Sequence, residues 1–183
     1  TLYNTYSFFS LYANIDGFTY DEADIALEDR PEMDRWILSE LHSLIQKVDG
    51  YYSDYEPTRA ARAMGDFVLE NLSNWYVRLG RRRFWRGSYE EDKISAYQTL
   101  FTCLEVVARL AAPIAPFYSD KLYKDLFGGV NKASKESVHL SDFPVCNESF
   151  IDSVLERKMQ RAQKITSLVF SLRQKEKIKV RQP

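Results

Sequence analysis

Cysteine and histidine are nearly missing from this sequence, which has two of each in 183 residues: Cys103 and Cys146, His42 and His139. Neither cysteine belongs to a paired metal-ligand spacing, so neither a zinc knuckle nor a disulfide framework organises the chain. Cys103 lies within an apolar helical run and is expected as a buried free thiol, a usage that fits a reducing cytoplasm. His42 follows Glu40 by two positions, which points the pair to different sides of a helix. It reads as a partly exposed helix residue, and His139 as a loop residue. There is no Gly-rich phosphate loop, no GxSxG elbow, no HExxH and no helical Glu-x-x-His pair of a di-iron bundle. Gly128 and Gly129 read as a helix stop rather than a nucleotide cradle. No catalytic residue and no metal ligand set is expected, and no cofactor.

Long apolar runs are lacking as well. The most apolar stretch, Leu104 to Tyr118, contains Glu105, Arg109, Pro113 and Pro116, so no membrane span is expected. There is no signal peptide and no initiating methionine; the chain opens at Thr1 in a helical pattern and closes on alternating Lys177, Ile178, Lys179, Val180 and Arg181, like the first strand of a further module. It therefore reads as a segment of a longer protein. Net charge is nearly lacking too: 25 basic residues face 26 acidic ones, so any attraction to a polyanion must come from local segregation. That segregation is visible. Asp16, Asp21, Glu22, Asp24, Glu28, Asp29, Glu32 and Asp34 crowd one connection, whereas the residues around Arg82 and the last quarter are basic.

What the sequence does have is a long helix from Pro57 to Arg86, PTRAARAMGDFVLENLSNWYVRLGRRRFWR. Proline suits a first helical position, because its missing amide hydrogen has no intrahelical partner there. Ala60, Met64, Phe67, Val68, Leu72, Trp75 and Leu79 recur at steps of three and four and predict one buried stripe. Extending that stripe brings up Arg82 and Arg86, so the helix is expected to leave its core by Gly80 and end as a cationic tip. Arg78, Arg81, Arg82, Arg83 and Arg86 surround Phe84 and Trp85. Guanidinium forks bind phosphate and flat rings stack on unpaired bases, a pairing suited to RNA. The alternatives are a solvated helix end favoured by the helix dipole and an anchor for another protein domain.

The rest of the chain predicts further helices. They cover Thr1 to Asn14, which is rich in aromatics, and Pro31 to Val48, ended by Gly50, with Trp36, Ile37, Leu41, Leu44, Ile45 and Val48 buried. Ser88 and Glu91 have capping-box spacing and open a helix toward Ala112. Ile114 to Phe127 forms the next, followed by a polar loop from Val130 to Asn147 with an extended piece at Val138 to Leu140. A last helix, Phe150 to Lys175, should turn Ile151, Val154, Leu155, Ala162, Ile165, Leu168, Val169 and Leu172 inward. The expected fold is all-α, an antiparallel helix bundle.

Several strings carry a resemblance. NTYSFFSLYANIDGF, DRWILSELHSLI, LSNWYVRLGRRRFW (Leu72 to Trp85), APIAPFYSDKLY, SVHLSDFP and LRQKEKIKVRQP (Leu172 to Pro183) follow one another as in the isoleucyl-tRNA synthetases, a class I aminoacyl-tRNA synthetase family that the chain resembles over its whole length. The resemblance implies the helical anticodon-binding domain over residues 1–175, with residues 176–183 starting the next module. The HIGH and KMSKS signatures of the catalytic domain are not present. By resemblance the partner is isoleucine tRNA, through its anticodon stem and loop, together with the catalytic and C-terminal domains of the same chain. The site would comprise Arg78, Arg81, Arg82, Arg83 and Arg86 on phosphates, Phe84 and Trp85 stacking, and Lys175, Lys177, Lys179 and Arg181 extending the track. ATP and magnesium, with zinc as a further candidate, belong by the same likeness to the full-length enzyme, expected to be a cytoplasmic monomer.

Overall fold

The computed structural model describes residues 1–179, which contain helices and irregular connections but no strand. Two units are distinguished, one running Thr1–Ile151 and a second beginning at Asp152. The all-α expectation therefore holds. In the first unit α1 (Leu2–Asp16) ends on Gly17, whose φ of 70° is the left-handed conformation that closes many helices. The acidic connection that follows contains one 3-10 turn, Leu27–Asp29.

Helix α2 (Glu32–Ser53) does not stop at Gly50, as the sequence suggests, but passes through it. Its last turn is held from outside, since the Tyr52 hydroxyl donates to the Leu110 carbonyl at 2.9 Å. All six residues assigned to its inner face are buried. A three-residue connection then leads to α3 (Pro57–Asp66), and so short a link makes the two helices antiparallel neighbours.

From α3 the chain continues without a break as a π-helical segment, Phe67–Val77, and then as α4 (Arg78–Trp85). The sequence therefore shows the long rod but not its pitch. In the π segment, amides bond five residues back, as Arg78 does to Ser73, and each turn holds more residues than an α-turn. The buried stripe consequently lags behind the 3.6-residue rule. After Leu72 it falls on Tyr76 and Val77, not on Trp75 and Leu79, and it continues through Phe84. Leu79 is exposed, and the helix has not left the core at Gly80.

Gly87, at φ 84°, turns the chain back toward α5 (Glu91–Ala111). The expected capping box does not form: Ser88 hydrogen-bonds Glu90 at 2.5 Å, and no side chain caps α5. Helix α5 is the most deeply covered of the set, with Tyr97, Leu100, Leu104 and Leu110 fully inside and the Cys103 thiol buried among them. It packs on α1, α2, α4 and α6 (Pro116–Phe127). The Val138–Leu140 stretch is a 3-10 turn rather than extended, because the Ser137 side chain accepts from the His139 amide and Asp120 accepts from the Ser137 hydroxyl and the Val138 amide.

In the second unit α7 (Ser153–Lys175) starts on Asp152, whose carboxylate accepts from the Val154 and Leu155 amides. Its inward stripe is not realised as expected. Val154, Ile165, Leu168, Val169 and Leu172 are exposed, since a single helix has no second layer of its own to bury them. No strand begins at Lys177; its φ of 55° and the turn at 176–177 interrupt the alternation, and Val180 lies outside the described residues.

The bundle closes around a buried carboxylate. Asp34, 0 % exposed, accepts from Tyr76 at 2.8 Å, from Ser95 at 2.6 Å and from both terminal nitrogens of Arg83 at 2.6 and 2.8 Å. Burial together with the neighbouring Asp34 charge pushes the Tyr76 hydroxyl well above its ordinary pKa, so it stays a proton donor. Arg83→Ala leaves this carboxylate buried without its cation and is expected to cost about 3–5 kcal/mol, read as a lower urea midpoint. Gly80→Ala should act oppositely. The added methyl lies no nearer than 4.0 Å to Phe84, so only the helix preference changes, and stability should rise by about 0.5–1 kcal/mol at constant m-value.

Candidate nucleic-acid interface

Helix α4 sorts its arginines by direction. Arg78, Arg81, Arg82 and Trp85 are spaced as one helical face, and all four are exposed, as is Arg86 just beyond the helix. None of these four arginines forms a salt bridge among the described residues. Trp85 is 56 % exposed, and the Arg86 guanidinium lies over its ring, 5.5 Å from the centroid. Arg82 also sits in the last turn of α4, where the negative pole of the helix favours a cation. The result is an outward face of four uncompensated guanidinium groups beside one open aromatic ring.

Two of the residues expected at the tip belong elsewhere. Arg83 turns inward to Asp34 and also reaches Asp92 at 3.0 Å; its donors are committed and it does not serve as a phosphate fork. Phe84 is 1 % exposed, set edge-on against Phe8 at 5.2 Å and Tyr97 at 5.3 Å. Sealed in this aromatic core, it cannot stack on a base or anchor a second domain. The physical reason is the lag introduced by the π segment, which rotates Phe84 and Arg83 to the inside and Arg82 and Arg86 to the outside.

In the second unit, Lys175 ends α7 exposed to solvent, and Lys177 is exposed in the turn that follows. Lys179 is also exposed, and its carbonyl accepts from Arg173 at 2.6 Å. Arg181 lies outside the described residues.

Burial pushes the Cys103 thiol far up, which makes it inert. His42 accepts the Asn147 amide through Nδ1 at 3.1 Å and packs on Phe150, with burial lowering its pKa. Among the described residues no three His, Cys, Asp or Glu side chains gather to hold a metal ion, and no helix is long and apolar enough to cross a membrane.

Sequence reasoning missed Asp34, which was counted with the acidic connection. Its signal was nevertheless present: Asp34 stands three residues before Ile37, on the same stripe as Leu41, Leu44 and Val48, where an acid requires a buried partner.

Over its whole length the chain is 62 % identical to an isoleucine–tRNA ligase of Cytophaga hutchinsonii, 61 % to one of Bacteroides fragilis and 44 % to one of Thermus thermophilus. It spans only 16–17 % of the length of these relatives. Residues 34–183 match the family model described as the anticodon-binding domain of tRNA ligase. A helical bundle with this family match across most of its length belongs to the anticodon-binding domain family of tRNA ligases.

Proposed function

We propose that this chain is the part of an isoleucine–tRNA ligase that grips the anticodon stem and loop of isoleucine tRNA, and that it performs no chemistry of its own. The observation that carries the reading is the outer face of α4, where Arg78, Arg81, Arg82 and Arg86 stand without acidic partners beside Trp85. Unpaired guanidinium groups bind phosphates at small desolvation cost, and a half-open indole gives an unstacked base a surface. Lys175, Lys177 and Lys179 of the second unit, and Arg181 beyond the described residues, are further tRNA-binding candidates in this reading. Residues 1–175 form the tRNA-binding domain and residues 176–183 begin the module that follows it.

The ATP-dependent joining of isoleucine to its tRNA belongs, in this proposal, to the rest of a longer, monomeric, cytoplasmic ligase. ATP, magnesium and, as a further candidate, zinc belong in this proposal to that longer ligase, by the likeness to the isoleucine–tRNA ligases. A second reading, docking onto other domains of the same ligase, is favoured at one place only. The exposed Ile165, Leu168, Val169 and Leu172 give α7 an open apolar side suited to another protein layer.

The test is a titration of labelled isoleucine tRNA by fluorescence anisotropy at several salt concentrations. Replacing Arg81 and Arg82 together by alanine should weaken binding at least about tenfold and flatten the log–log salt slope by roughly 0.7–0.9 per lost phosphate contact. The denaturation midpoint should stay within about 0.5 kcal/mol of the parent, as suits exposed positions. Unchanged affinity and slope would remove the α4 face from the interface.

A further inference from the structure

The end of the first unit is pinned by a histidine. Residues 142–150 run over α5 and α2 as an irregular segment that finishes in a 3-10 turn, Glu148–Phe150, just before the unit ends at Ile151. Two contacts fasten its start: Arg109 Nη1 donates to the Asp142 carbonyl at 3.3 Å, and Phe143 meets the Tyr52 ring edge-on at 6.0 Å. Two more, at its end, belong to His42 of α2. The His42 Nδ1 accepts from the Asn147 amide at 3.1 Å, and its ring lies 4.5 Å from that of Phe150. Between these points Val145 is 84 % exposed, so packing holds the middle only lightly. The Asn147 side chain accepts from the amide and hydroxyl of Ser149, which fixes the direction in which its own amide points.

Only one protonation state can make the bond to Asn147. Imidazole accepts at Nδ1 when it is neutral with its proton on Nε2, whereas imidazolium carries a hydrogen on both nitrogens. Protonation therefore sets N–H against N–H. Charged neighbours approach from several elements. From α5, Glu105 and Arg109 line the same cleft as His42 but bridge each other at 2.7 Å, and burial raises the Glu105 pKa. Lys132, Lys135 and Asp142 line that cleft from the loop after α6, and Cys146 and Glu148 flank Asn147. Burial and Glu148 raise the Cys146 thiol, which keeps it neutral. On α2 itself, Glu40 and Lys47 line a separate cavity with Asp66 and Glu70. Burial, not a neighbouring charge, is what lowers the His42 pKa.

We propose that His42 is a pH-sensitive clasp, holding residues 142–150 against α2 while neutral and releasing them when protonated. The sign follows from linkage. The clasped form has a pKa below the ordinary 6.5, so the clasp is complete above that value and weakens as pH falls from it toward the lowered one. Because Asp142, Pro144 and Val145 form one wall of a cleft of about 550 Å³, release also opens that cleft and the Glu105–Arg109 pair within it.

The experiment is an NMR titration of the isotope-labelled 183-residue chain from about pH 8 to about pH 5. The His42 ring should show a bare Nδ1 when neutral and a midpoint below 6.5. Solvent exchange of the Asn147 amide, corrected for its intrinsic pH dependence, should accelerate through the same window, about tenfold for each pH unit between the midpoint and 6.5. His42→Gln offers an acceptor that does not titrate, and His42→Phe keeps a ring but no acceptor; both should abolish the pH dependence, and His42→Phe should leave Asn147 at the released rate. None of these readouts involves RNA, so they stand whatever binds the α4 face. A midpoint at or above 6.5, a proton on Nδ1 of the neutral ring, or steady Asn147 exchange while His42 titrates overturns the clasp. So does acceleration that persists in His42→Gln, which would assign it to Glu105.

Discussion

Everything in the first unit depends on keeping one buried negative charge satisfied. Asp34 sits at the start of α2 with no exposure to solvent, yet it receives hydrogen bonds from the π segment, α4 and α5 through Tyr76, Arg83 and Ser95. An isolated carboxylate would be costly there, and only several donors meeting at one point offset its lost hydration. The donors come from far along the chain, so the interaction forms only when those elements are correctly docked. It therefore fixes the rotation of the rod that runs from Pro57 to Trp85, a matter on which apolar packing alone is less selective.

That rotation decides which arginines face outward. Three consecutive arginines, Arg81 to Arg83, have the same chemistry, but a helix spreads them over 200° of arc, so only one can reach Asp34. With Arg83 inside, Arg82 and Arg78 point away from the core and Trp85 completes their face. The π segment makes this compatible with burying Tyr76 and Phe84 on the same side. An α-helical rod with the 3.6-residue stripe would present Leu79 to the core and swing Arg82 beneath it. The rare helix pitch is thus part of how the outer face is built.

Much of the fold was legible in the sequence because strongly periodic apolar positions dominate it. The buried residues of α2 follow from spacing alone, and so does the proline start of α3, whereas α6 begins at Pro116 rather than at Ile114. The failures have local causes. Gly50 did not end α2, since the tertiary bond from Tyr52 to Leu110 holds the last turn; Ser88 found Glu90 in place of a capping role. Phe84 and Arg83 were assigned outward because a pattern of sequence carries no mark of helix pitch, and one extra residue per few turns suffices to exchange inside for outside. The apolar side of α7 shows the converse limit: periodicity reveals which residues want a partner layer, but not whether that layer is supplied by the same unit.

A chain with almost equal numbers of acids and bases can still present a cationic surface if its acids are occupied internally. Asp16 is held by Lys93, Asp120 by Lys124, Asp125 by Lys121, Glu105 by Arg109, and Asp34 and Asp92 by Arg83. Each such pair screens itself over a few ångströms and contributes little at a distance. Glu22 accepts from Tyr89 and Asp21 from Asn131, which ties the acidic connection to the body of the unit. Among the arginines left without a salt bridge, Arg78, Arg81, Arg82 and Arg86 stand together at one end of α4, and among the described residues none of these four has a carboxylate within bridging reach. Local field follows from which charges remain unpaired, not from their sum, and this is how a nearly neutral bundle acquires a face suited to a polyanion.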